Sequence, residues 1–192
     1  MASKQENLNV SPGLVRRLLR ENRTMGTQLA QYEFRRMSGE LSNPTLFMLE
    51  LDFPGETPVA SPVLPSVVGD PVSRKLPLLN VNTGSVLVVE NPEALPPMGI
   101  HIPDLPPEEL RPALRALMTA HVSDPFARFV FLCDTFKPIP FLGRYKFVYE
   151  YLGETALAAA AERASVRFGI SEVRSLVGTQ VLWRKNAAET AE

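Results

Sequence analysis

Apolar positions along this chain repeat with a helical period in three stretches and alternate or run unbroken in four others. The helical stretches are 12–37, 108–121 and 155–168; the extended ones are 45–52, 85–90, 145–151 and 179–185. In the first helix Leu14, Leu18, Met25, Leu29 and Tyr32 share one face, which Asn22 interrupts. Ser11 stands at the N-cap position with Pro12 at the first helical position, where a missing N–H costs nothing. Gly39 is the expected stop, and Gly26 sits mid-helix at a cost of about 1 kcal/mol relative to alanine.

The best-defined unit is Arg144 to Gly169. Tyr145, Phe147, Tyr149 and Tyr151 alternate with Arg144, Lys146, Val148 and Glu150, as a strand requires. An Ala-rich helix follows, with Leu157, Ala160, Ala164 and Phe168 on one stripe and Gly169 at its end. In the second helix Leu110, Leu114, Leu117, Met118 and His121 hold the period, Glu108 and Glu109 suit its N-terminal dipole, and Pro112 implies a kink or a start near Arg111. Phe126–Phe136 reads as helix or buried strand, and 124–125 as a helix start. Residues 76–82 read as a short strand and 82–84 as a turn. Residues 137–143 read as a proline-punctuated loop, and Ser171 as the cap of a short helix to Val177.

Composition changes this picture in one region. Thirteen of the 18 prolines fall between Pro54 and Pro112. The stretch is apolar, unlike a flexible linker, so 53–107 is expected to wrap over the sheet in long irregular connections. Residues 1–10 and the tail 186–192 are expected to be loose. The fold expected is a single α+β domain: a small mixed or antiparallel sheet with helices covering it.

Charge is segregated although the net is only −1. Residues 1–40 carry seven basic against four acidic groups, and 41–106 two against seven. No run approaches the ~18–20 apolar residues of a membrane span. The first ten residues have no apolar signal-peptide core, and a single cysteine suits a reducing compartment. The expected location is the cytoplasm.

Candidate chemistry is sparse. Two histidines, His101 and His121, and one cysteine, Cys133, occur without any metal-ligand spacing. Cys133 lies in an apolar run, FVFLCD, where a thiol is buried and inert. The glycines are dispersed, so neither a phosphate loop nor a dinucleotide fingerprint is present, and there is no GxSxG elbow. No catalytic residue, cofactor or metal is therefore assigned. For binding, Arg16, Arg17, Arg20 and Arg23 cover adjacent helical turns at phosphate-binding spacing, while a solvated face or one paired with the acidic middle segment is the plainer reading. Tyr145 and Tyr149 offer rings for stacking or an interface, although 144–151 fails the RNP1 pattern because Glu150 stands where an aromatic is required. The function expected is a non-enzymatic assembly or adaptor subunit contacting another protein or its own copies. The alternatives are a nucleic-acid-binding subunit using the arginine helix, and an enzyme whose site assembles from scattered Asp, Glu, Tyr and Arg.

Overall fold

Four parallel strands and one antiparallel edge strand form a single mixed sheet in the order β3-β2-β1-β4-β5. The structure is a computed structural model that describes residues 11–44, 77–178 and 180–185. The strands are β1 (Pro97–Ile102), β2 (Arg128–Cys133), β3 (Val148–Tyr151), β4 (Glu172–Ser175) and β5 (Val181–Arg184). The helices are α1 (Pro12–Glu40), α2 (Pro107–Ser123), α3 (Ile139–Arg144) and α4 (Leu157–Phe168). With four helices and this mixed sheet among the described residues, the architecture is α+β, as the sequence leads one to expect.

Chain direction decides which helix lies on which face. The connections β1-α2-β2 and β2-α3-β3 step one way across the sheet, and β3-α4-β4 returns past β1 to its other side. Right-handed crossovers stepping in opposite directions put their helices on opposite faces. Accordingly Ile100, Ile102, Phe129, Phe131 and Cys133 pack with Leu110, Leu114, Met118, Phe141 and Leu142 on one side, joined by Met37 and Leu41 from the end of α1. On the other side Val130, Leu132 and Val173 pack with Ala160, Ala161, Ala164 and Phe168 of α4. Small alanines let α4 lie close against the strands.

Several expected elements differ. Residues 85–90 are not a strand: Val86 and Leu87, adjacent in sequence, are both buried and Val88 is exposed, so no alternation exists to support a ladder. Residues 77–82 form no strand, with Leu79 N–H donating to the Arg167 carbonyl at 2.7 Å. The strand expected at 145–151 begins only at Val148, because Tyr145 closes α3 and Lys146 turns the chain with φ 57°. Residues 137–143 hold α3 rather than a loop, with Pro138 and Pro140 in its cap and first turn, where the lost N–H has no partner to lose. The stretch after Ser171 is β4, not a helix, and α2 ends at 123–124 with no new helix at Pro125. Within the proline-rich region, 97–102 is the central strand β1. Pro97 opens it, and Gly99 packs so closely on β4 that an added Cβ would lie 2.8 Å from Val173 Cγ2. The strand expected at 45–52, the rest of the wrapping region to 76, and both termini lie outside the described residues.

The other elements follow the sequence. Phe126–Phe136 resolves as β2, 179–185 contains β5, and Gly169 ends α4 in the left-handed region at φ 74°. Helix α2 departs from the expected start near Arg111: it begins at Pro107 and contains Pro112.

Candidate functional site

Helix α1 is the element that sets this chain apart. It is 29 residues long, and only its C-terminal part is built into the domain. Ala30, Met37 and Leu41 are buried with Phe34 packed beside them, one stripe at helical spacing. The last turn has no basic residue of its own, and neighbours supply the charge. Arg115 of α2 donates to the Ser38 carbonyl at 3.1 Å, and Arg144 of α3 reaches Glu40 at 2.7 Å.

The rest of the helix carries a second apolar stripe that does not face this core. Leu14, Val15, Leu18, Leu19, Met25, Leu29 and Tyr32 are all exposed, Tyr32 by 67%. The face that the sequence marks as apolar is therefore not the one that covers the sheet. The signal for this was Asn22, an amide in the middle of that stripe, which a buried helix face would not tolerate unpaired.

The four arginines sit on the opposite side of α1 and are exposed. Arg17 pairs with Glu21 at 2.8 Å, and Arg23 reaches Glu90 of the acidic middle segment. Arg20 donates to the Arg16 carbonyl at 3.4 Å. The structure does not bring Tyr145 and Tyr149 to them. Tyr145 is buried at the end of α3, and its hydroxyl lies near the Glu40 carboxylate without a well-formed hydrogen bond. Burial, then Glu40, pushes its pKa up to about 12. Tyr149 is half-exposed on the edge strand β3, its hydroxyl 3.6 Å from where a Cβ on Gly143 would stand. No single surface holds all six residues.

Between α1, the 86–90 segment and the end of α2 lies a groove of about 800 Å³. Ala30, Phe34, Val86 and Leu87 make its apolar wall, and Arg23 and Glu90 line it as well. His121 borders it, 1% exposed, edge-on to Phe126 and Phe129, with neither ring nitrogen hydrogen-bonded. Such a ring is held neutral, its pKa pulled below the ordinary 6.5 by burial.

That arrangement sets a sign for acid behaviour. Below pH 6.5 the unfolded chain takes up a proton on His121 that the folded chain refuses, so stability falls as pH drops from 6.5 toward the lower folded value. His121→Leu is expected to remove this part of the pH dependence and to stabilise the fold by about 1–3 kcal/mol, by relieving an unsatisfied buried polar group. Urea titrations of both proteins between pH 5 and pH 8 test it; parallel pH profiles would show that His121 gains nothing by being neutral.

The carboxyl ends of the parallel strands, where open sheets of this kind commonly seat ligands, carry a second polar cluster. His101 Nε2 lies 2.9 Å from Asp134 Oδ1, and Lys137 donates to Asp104 at 2.7 Å. Ser175, the register partner of His101 on β4, accepts a hydrogen bond from the Val177 N–H at 3.3 Å. Phe136 and Tyr151 stack beyond the strand ends with centroids 3.9 Å apart. His101 and Lys137 are thus each paired with a carboxylate. Among the described residues, no three His, Cys, Asp or Glu side chains stand where they would share a metal ion. Cys133 is buried, its thiol pushed up to about 12 by burial and by the adjacent Asp134, so it is no nucleophile at neutral pH. Among the described residues, no helix is long and apolar enough to cross a membrane.

Comparisons with protein-family models, with curated proteins and with solved structures give no match to this chain.

Proposed function

We propose that this protein is a non-enzymatic assembly subunit, acting in the cytoplasm through protein–protein contacts made by the outward face of α1. One observation carries the reading: seven large apolar side chains are exposed along a helix whose other side is anchored to the domain. Contiguous exposed apolar surface of this kind characterises interaction sites. Helices in proteins draw most of their stability from packing an apolar face. A partner therefore stabilises α1 as well as binding it. The inert, buried cysteine fits a reducing compartment.

The reading is tested with Leu18→Glu/Met25→Glu. Both positions are exposed, so the domain should still fold while complexes isolated from the native source are lost. Complexes that survive the double substitution would remove α1 from the account. The arginine face supports a second reading, phosphate contact, because Arg16, Arg17, Arg20 and Arg23 stay exposed on the side away from the apolar stripe. Steep salt dependence of binding to duplex DNA, about −0.9 per phosphate in a log–log plot, would favour it.

A further inference from the structure

We infer that the outward face of α1 pairs with the same face of a second copy of this chain, as a parallel, in-register, two-stranded coiled coil. The inference rests on the assembly reading above and names the partner. Val15, Leu18, Asn22, Met25, Leu29 and Tyr32 follow one another at alternating spacings of three and four, and all six are exposed. This is a heptad seam, with Val15, Asn22 and Leu29 at the a positions and Leu18, Met25 and Tyr32 at the d positions. It lies roughly a third of a turn around the helix from the buried stripe of Ala30, Met37 and Leu41, so both faces can be occupied at once.

Asn22 identifies the occupant. Its amide sits in the middle of the seam, with Leu18 and Met25 one turn to either side. An unrelated apolar surface would bury it unpaired, at a cost. A second copy in parallel register presents its own Asn22 at the same level, and each amide supplies the donor that the other accepts. A lone asparagine at an a position is the best-attested device for fixing register and restricting a coiled coil to two strands.

The flanking positions agree. In a parallel pair each g residue meets the e residue five places later on the other copy. The meetings are Leu14 with Leu19, Glu21 with Gly26, and Gln28 with Glu33, none of them between like charges. Leu14 and Leu19 widen the apolar contact at the open end. Arg16, Arg17, Arg20 and Arg23 fall at b, c and f, away from the seam, so the basic faces of the two copies are not forced together. Anchoring at Met37 and Leu41 holds the helix base in place before pairing, which lowers the ordering cost for a seam this short.

The test uses the full chain. Light scattering should give twice 21.2 kDa, falling to a single mass in Leu18→Glu/Met25→Glu. Asn22→Cys should close into a disulfide-linked dimer under mild oxidation, whereas Arg20→Cys, at an f position, should not; Cys133 is buried and stays silent. Asn22→Val should raise the melting temperature of the pair and populate trimers or larger species. A monomer at every concentration, a dimer indifferent to Leu18→Glu/Met25→Glu, or equal cross-linking at Arg20→Cys would overturn the proposal. The two readings separate cleanly. A monomer that loses a different bound protein through Leu18→Glu/Met25→Glu leaves assembly standing and sinks self-pairing, and a monomer whose complexes ignore that variant sinks both. A monomer in which 45–76 covers this face would likewise overturn self-pairing, and loss of protease protection there in the double variant would reveal it.

Discussion

Phe131→Ala is expected to cost about 3–5 kcal/mol of folding stability, a large part of the 5–15 kcal/mol that a domain of this kind holds in total. Phe131 is fully buried in β2, with β1 and β3 hydrogen-bonded on either side. Its ring meets Phe147 edge-on at 5.5 Å, in a near-perpendicular arrangement of 83°, and Phe129 at 5.9 Å. Strands paired on both sides cannot close over the space left by a lost ring, so the cavity persists and its cost adds to the transfer term. Phe131→Leu keeps most of the volume and should cost a good deal less. Equilibrium urea unfolding measures both. A loss below about 1 kcal/mol for the alanine variant would mean that β2 is not an interior strand of the sheet.

The second large effect is at Gly84. Its φ of 77° is left-handed, and its N–H bonds the Asn82 side chain at 3.1 Å to close the turn. A Cβ there would stand 2.6 Å from Cε1 of Phe147, inside contact distance of a ring that is itself buried against Phe131. Gly84→Ala therefore combines backbone strain with displacement of a core aromatic, and about 2–4 kcal/mol of destabilisation is expected. Gly26→Ala provides the contrast. It is helical, nothing among the described residues beyond its own stretch of helix lies within 4 Å of the added methyl, and it should stabilise by roughly 0.5–1 kcal/mol. Thermal unfolding of the two variants should move in opposite directions, and a neutral Gly84→Ala would place Phe147 elsewhere.

What could be read from the sequence divides along physical lines. The three long helices were legible because their ends are marked: Pro12 at the first helical position of α1, Glu108 and Glu109 in the first turn of α2, Gly169 after α4. Strand β1 was not, because its short alternation lies inside a proline-rich stretch that argues against a central strand. Ile100 and Ile102 point to one side, Gly99 and His101 to the other, and prolines on both flanks hide the rest. At 85–90 β-branched residues suggested a strand, but propensity does not supply a hydrogen-bonding neighbour. At 145–147 the alternation suggested a strand carrying Tyr145 as a ring for stacking or an interface, but the backbone turns at Lys146 and Tyr145 is buried with Phe147.

The candidate site was legible in part. Arg16, Arg17, Arg20 and Arg23 stood out as a cluster, and the acidic counterpart of one of them, Glu90, was present in the charge pattern. The apolar stripe on the same helix was visible too, but a stripe gives no sign of which body covers it. Only the second stripe, Ala30 to Leu41, shows that this chain's own core is already served. The edge pairs that need three dimensions were out of reach. Glu150 is held 3.4 Å from both Arg163 and Arg167, and Glu172 lies between Arg174 at 2.7 Å and Arg184 at 3.1 Å, which keeps its carboxyl below the usual range.

Cys133 gives the chain an internal gauge of its own opening. The single thiol closes β2 beneath the packed face of the sheet, so a modifying reagent meets it only after the strands part. With no competing thiol elsewhere, the labelling rate in native buffer reads the population of that open form directly when closing outpaces modification. A substitution that loosens the sheet would then register as faster labelling long before any spectroscopic sign of unfolding.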